Sequence, residues 1–189
     1  AHDQPEFVAD LVAMLAKWNE QRMEVMLDVG VDLFVRRAWY ESTDFWSPAL
    51  YRRFILPTVK REAELVHQAG AKFAYISTSG QTPLLSELRE SGIDVLIGLD
   101  PVQGKGTDFA VIKQRLGDKV ALWGGVNGFV TMETGAPDAV RAEVRAAMQV
   151  LKPGGGFILS PVDNVVENSD RAWTNVDALI DEWRKLREY

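Results

Sequence analysis

Apolar side chains recur at Phe7, Leu11, Met14, Leu15, Trp18, Val25 and Met26, close to a 3.6-residue period, and Gly30 follows as a stop. The spacing predicts a helix over residues 5–27. Val31–Val35 is a short apolar run ended by Arg36 and Arg37, the pattern of a buried strand that delivers charge at its C-terminal tip. Ser47 and Pro48 supply an N-cap and a first-turn proline for a second helix, carried by Tyr51, Phe54, Ile55, Val59, Ala63 and Val66 and closed by Gly70. Pro57 falls inside that pattern, so a kink or a break is expected there.

Beyond Gly70 the two periods alternate. Strands are expected at Phe73–Ile76, Val95–Leu99, Val120–Trp123 and Phe157–Leu159, and helices at Thr82–Glu90, Phe109–Leu116, Asp138–Leu151 and Trp173–Leu186. Strands separated by single helices are joined by right-handed crossovers, which build a parallel sheet covered by helices. The chain is therefore read as α/β, a single domain over 1–189 with no linker inside it. About five strands are too few for a closed eight-stranded barrel, which takes about 250 residues. A partial (β/α) TIM-barrel-type sheet is expected, with an open doubly wound sheet as the alternative. Both place ligands at the loops that follow the C-terminal ends of the strands.

Composition narrows the chemistry. With 47% hydrophobic residues the chain can bury a real core, and a net charge of -6 argues against nucleic acid or an anionic membrane as partner. A small-molecule ligand is the better expectation. No apolar run reaches the roughly 20 residues of a membrane span, and the start of the chain lacks a signal-peptide profile, so a cytoplasmic location is expected. Cysteine is absent, which removes disulfides, thiolate metal ligands and cysteine nucleophiles. The two histidines, His2 and His67, are too remote from each other to build a metal site, and neither metal nor organic cofactor is expected.

Polar and glycine residues gather in the loops after the strands: Arg36–Asp44, Ser77–Gln81, Asp100–Thr107, Gly124–Gly128 and Ser160–Asn168. Arg36 and Arg37 suit the gripping of a carboxylate, or else form a solvated strand end. Asp44 reads as turn chemistry or as a ligand contact. Asp100, at the mouth of a buried strand, and Asp163, after the last one, are the candidate catalytic carboxylates. Tyr40, Ser77, Ser79, Asn127 and Asn164 complete the candidate substrate-binding set. Gly124 and Gly125 read as packing glycines. Gly154-Gly155-Gly156 precedes a strand, the reverse of a nucleotide fingerprint, and Gly104-Lys105-Gly106-Thr107 lacks the earlier glycine of a phosphate loop because position 99 is leucine. Trp18, Trp173 and Trp183 recur at helical spacing and are expected in the core.

Three segments carry a family resemblance. Ser47-Pro48-Ala49-Leu50-Tyr51-Arg52-Arg53-Phe54 with Pro57, Gly124-Gly125-Val126-Asn127 with Gly135 and Val140, and Gly155-Gly156-Phe157-Ile158-Leu159-Ser160-Pro161 occur in the order found in the uroporphyrinogen decarboxylase superfamily. The chain resembles the C-terminal part of that family's barrel. The resemblance implies either cofactor-independent decarboxylation of a carboxylated ligand, such as a tetrapyrrole, or corrinoid-dependent methyl transfer with zinc. A non-catalytic binding protein that keeps the pocket is a third outcome. Where the methyltransferases carry a His-x-Cys-Gly motif this chain has Ser77, Thr78, Ser79 and Gly80, and Asp163 stands at the position of a further cysteine. Oxygen groups in place of thiols and imidazole are poor partners for a thiolate-activating zinc. A partial barrel also leaves two unpaired strand edges, so a homodimer or a partner chain that supplies the missing strands is expected.

Overall fold

A computed structural model describes residues 3–188, and His2 lies outside them. The chain opens with helix α1 (Pro5–Asp28), then strand β1 (Leu33–Arg37). Helices α2 (Pro48–Leu50) and α3 (Leu56–Gln68) are joined by a π-helical turn, Tyr51–Ile55. There follow β2 (Lys72–Ile76), a 3₁₀ turn at Thr82–Leu84, α4 (Leu85–Glu90), β3 (Val95–Leu99), α5 (Phe109–Leu116) and β4 (Ala121–Asn127). A second π-helical turn, Gly128–Glu133, leads to α6 (Pro137–Leu151), β5 (Phe157–Val162) and α7 (Asp170–Leu186).

All five strands run parallel in the order β1-β2-β3-β4-β5. The order never reverses, so there is no topological switch point, and the doubly wound alternative is excluded. This is the singly wound order of a (β/α) barrel, left open after five strands.

Paired residues in register share a face of the sheet. One row runs Arg36, Tyr75, Leu96, Leu122 and Phe157. Its side chains, with Phe34 and Phe73, pack against Val59, Val66, Leu88, Ile112, Leu116 and Leu151 of the helices. The next row, Arg37, Ile76, Ile97, Trp123 and Ile158, lies on the other face and is exposed or half-buried. Burial of the first row and of the helices' apolar stripes drives the fold, at roughly 1.5–3 kcal/mol per large side chain. Gly125 lets α6 come close, since a Cβ there would stand 2.9 Å from that of Ala147.

Two expectations are corrected. The first strand begins at Leu33 rather than Val31, so both arginines lie within it and alternate between the two faces. In α1 only Met23 is buried, and the supposed core residue Trp18 is 58% exposed; Trp173 is exposed as well. The break expected near Pro57 is the π-helical turn, which ends two residues before it. A proline without N–H leaves a gap in the helical ladder, and the wider turn accommodates it.

Arg36 ties β1 to α3 beneath α1. Its guanidinium forks onto Glu41 (Nη2 to Oε1 2.6 Å, Nε to Oε2 3.1 Å) and donates to Glu62, which is 1% exposed. Asn19 of α1 donates to the other Glu62 oxygen at 2.7 Å, and the Tyr75 hydroxyl donates to Glu41 at 2.8 Å. Burial works against the charge on Arg36, yet the two carboxylates hold its pKa above the ordinary arginine value. Removing one member of such a cluster strands a buried charge. Glu62→Leu is therefore expected to cost about 3–5 kcal/mol in urea unfolding. A loss under about 1 kcal/mol would show that the cluster adds nothing beyond packing.

Candidate functional site at the strand mouth

Parallel strands with right-handed crossovers all end on one side, and that rim gathers most of the polar candidates. The loops after β1, β2 and β3 are laced together. Asp44 accepts from Ser79 Oγ at 2.6 Å and Ser42 Oγ at 3.2 Å, with Lys105 Nζ 3.7 Å away. The Ser79 hydrogen bond is the chief reason its carboxyl lies below the usual range. Ser77 is buried, donates to the Ser79 carbonyl at 3.3 Å, and offers its own carbonyl to the Gln81 amide.

The second group centres on Asp100. It follows a register shift between Ile97 and Leu99, where β3 bulges against β4 and re-aims the chain at the rim. Only 3% exposed, Asp100 accepts through Oδ1 from the backbone N–H groups of Val102 (2.8 Å) and Gln103 (2.9 Å). Its Oδ2 accepts from Asn127 Nδ2 at 2.8 Å. Asn127 gives its second amide proton to Gln103 Oε1 at 2.9 Å, and its Oδ1 caps the π-helical turn by accepting from Val130 N and Thr131 N. Asn127 is thus fully committed inside the protein, and it braces Asp100 rather than facing a ligand.

Asp163 stands on the exposed rim one residue past β5, with φ at 62°, the one non-glycine residue with positive φ among those described. Left-handed backbone in a residue with a side chain carries strain, and such strain gathers at functional positions. Partial desolvation pushes the Asp163 carboxyl above its ordinary range, and the negative charge of Asp100 adds to the effect. A rim carboxyl whose proton affinity is raised, beside one that is buried and hydrogen-bonded, is an arrangement suited to proton transfer.

The remaining candidates divide. Arg37 is exposed at the end of the open-face row and stacks on Trp39 at 4.4 Å. Arg36 turns to the helix side and is taken up by Glu41 and Glu62. Tyr40 is exposed and packs edge-on against Phe45, and Asn164 is exposed beside Asp163. A cavity of about 650 Å³ lies between α1 and the outer edge of β1 and reaches the rim at Arg37, Tyr40 and Glu41, with mostly apolar walls that include Leu15, Trp18, Met23 and Phe34. It lies where the sheet edge is unpaired; of its polar groups, Arg36, Glu41 and Glu62 satisfy one another, and Arg37 and Tyr40 line it as well.

Zinc does not fit the positions that the methyltransferase motif would use. Ser77 and Ser79 spend their hydroxyl protons on a carbonyl and on Asp44, and among the described residues no three His, Asp or Glu side chains are disposed to hold a metal.

Sequence reasoning missed Glu143. It lies on the buried stripe of α6, among Val140, Val144 and Ala147, and accepts from the Asn127 backbone N–H at 2.8 Å and from the Thr131 hydroxyl. Glu62 occupies the same kind of place in α3, between Val59, Ala63 and Val66. A carboxylate set into a helix's apolar stripe was the available signal, because burial demands a partner for it.

The model of the family described as uroporphyrinogen decarboxylase matches residues 1–186. The uroporphyrinogen decarboxylase of Methylococcus capsulatus is 27% identical over 165 residues, covering 84% of this chain and 43% of its own length. A methyltransferase from Methanosarcina mazei superposes with a TM-score of 0.67 at 21% identity, over 86% of this chain and 44% of that one. A B12-independent methionine synthase from Shewanella gives 0.64 at 13% identity, over 97% of this chain and 54% of that one. At these identities the solved structures establish the fold alone, and the chain spans about half the length of the proteins it matches or less.

Proposed function

The chain belongs to the uroporphyrinogen decarboxylase family, and from that premise we propose that it forms the C-terminal part of an enzyme site that decarboxylates a carboxylated small molecule, a tetrapyrrole among the candidates. The observation that carries this reading is the Asp100–Asp163 pair at the strand mouth, one carboxylate buried and anchored, the other at the rim in left-handed backbone with its proton affinity raised. In such a reaction the C–CO₂⁻ bond breaks, CO₂ leaves, and the electron pair stays on carbon. The protonated Asp163 delivers its proton to that carbon and is reprotonated from solvent, which reaches it at the rim. Arg37, an exposed cation on the open face, would hold a second carboxylate of the ligand, with Ser79 and Asn164 on the neighbouring loops. No metal or organic cofactor enters this scheme. The methyltransferase names among the structural neighbours favour the other chemistry, but the hydroxyls at Ser77 and Ser79 give a thiolate-activating zinc no suitable donors.

The same reading extends to assembly. Among the described residues β1 and β5 have no partner strand on their outer sides, and Phe7, Met14, Leu15 and Trp18 leave the adjoining face of α1 apolar and exposed. A second copy, or a chain carrying further βα units, would cover these edges. Sedimentation at micromolar concentration is expected to give a species above the 21.1 kDa of one chain, or self-aggregation without a partner. A monodisperse monomer would contradict the need for cover.

Activity gives the direct test. Incubated anaerobically with uroporphyrinogen, the protein is expected to release CO₂, and Asp163→Asn to lower the rate by about 10²–10⁴, the usual worth of a positioned proton donor. Because the active form is the protonated one, the rate should fall as the pH rises through the raised Asp163 value. Wild-type activity that survives Asp163→Asn undiminished would defeat the proposal.

A further inference from the structure

We propose that Glu143 is a positioning residue for the Asp100–Asp163 pair, acting through the π-helical turn Gly128–Glu133; the proposal rests on the role given above to those two carboxyls. The turn touches both of them. At its start, Asn127 caps it through Oδ1 and reaches Asp100 through Nδ2. Its first residue, Gly128, packs against the end of β5 so closely that a Cβ there would stand 2.3 Å from the Val162 carbonyl oxygen, immediately before Asp163. At its far end the buried Glu133 accepts from the backbone N–H groups of Val166 (2.5 Å) and Glu167 (3.2 Å), which fastens the loop that carries Asp163. Regular α-helix would rotate these three attachments relative to one another, and π-helical turns are frequent at functional sites.

Glu143 clamps this turn from behind. One of its oxygens takes the Asn127 backbone N–H and the other takes the Thr131 hydroxyl, so it fixes the cap residue and the middle of the turn at once. Asn175 of α7 supports the same stretch, with its amide near the carbonyls of Met132 (2.9 Å) and Gly135 (3.0 Å). Desolvation raises the Glu143 carboxyl above its ordinary range against the pull of its two donors, and Asp100 raises it further. The charged groups that bear on the turn are Glu133 within it, Asp100 from the β3 loop, Glu143 from α6, Asp163 from the β5 loop and Arg171 from α7, which donates to the Thr134 carbonyl at its end.

A merely structural Glu143 would stabilise α6 and leave the rim carboxyls as they are. A positioning Glu143 would set how firmly Asp100 faces Asp163, and so how tightly Asp163 holds its proton. The two roles separate in the carboxyl ¹³C titration of Asp163 in the labelled full chain, a readout that needs no turnover. In Glu143→Ala the Asp163 midpoint is expected to drop toward that of an ordinary aspartate, a several-fold loss of proton affinity, as it should in Asp100→Asn. Glu143→Gln should restore the midpoint, because its Oε1 can accept from Asn127 N–H while its amide donates to the Thr131 oxygen. If Glu143→Ala does not fold, Thr131→Val removes one of the two clamps and is expected to shift the midpoint in the same direction. An Asp163 titration unchanged in whichever of these variants folds overturns the proposal, whatever happens to thermal stability. Loss of decarboxylation with Asp163 titrating as expected would count instead against the proposed chemistry and leave the positioning role standing.

Discussion

The side chain of Asn127 makes four hydrogen bonds, and the mouth of the sheet is organised around them. Two backbone N–H groups of the following turn point at its oxygen, and its two amide protons go to Asp100 and Gln103. An amide has no more to give, so a buried residue with this pattern is a brace. Because β4 is flanked by β3 and β5, a brace at its end can set both neighbouring loops at once. Asp100 on one side is held by hydrogen bonds, and Asp163 on the other is held through the turn that Asn127 caps.

Two kinds of buried charge follow from this arrangement and serve different ends. On the helix side of β1, Arg36 is matched by Glu41 and Glu62, with Asn19 and Tyr75 filling the remaining hydrogen-bonding capacity. Such a closed cluster fixes how α1, α3 and β1 sit together. At the rim Asp100 and Glu143 take neutral donors in place of a cation, and Lys105 lies instead by Asp44. Desolvation, with the like charge of Asp100 added, raises the Asp163 and Glu143 carboxyls above their ordinary range. The left-handed backbone of Asp163 falls where β5 ends against Gly128 of the turn.

The alternation of strand and helix was legible because each period is local: a buried run such as Val95–Leu99 and an amphipathic stretch such as Phe109–Leu116 need only their own residues to declare themselves. Sheet order was legible too, since single-helix crossovers leave little choice. What failed was whatever depends on a distant partner. The stripe of α1 reads as core, yet it is largely uncovered, because covering depends on what lies across it rather than on the pattern itself. Arg36 and Arg37 look equivalent in sequence and diverge in space because consecutive strand residues face opposite sides. Asn127 was found, but as a ligand contact rather than a brace. Glu143 was overlooked because its meaning lies in Asn127, sixteen residues earlier and on another element.

The most direct measurement is amide chemical-shift mapping with a soluble tetrapyrrole polycarboxylate such as uroporphyrin as the probe. A site at the strand mouth requires the shifts to fall on Asp100–Gln103, Asn127–Gly128 and Ser160–Val165, with Arg37 at their margin. Shifts confined instead to Leu15, Trp18, Met23 and Phe34 would place the ligand in the cavity beside β1, and the reading of the Asp100–Asp163 pair as the reactive centre would be wrong.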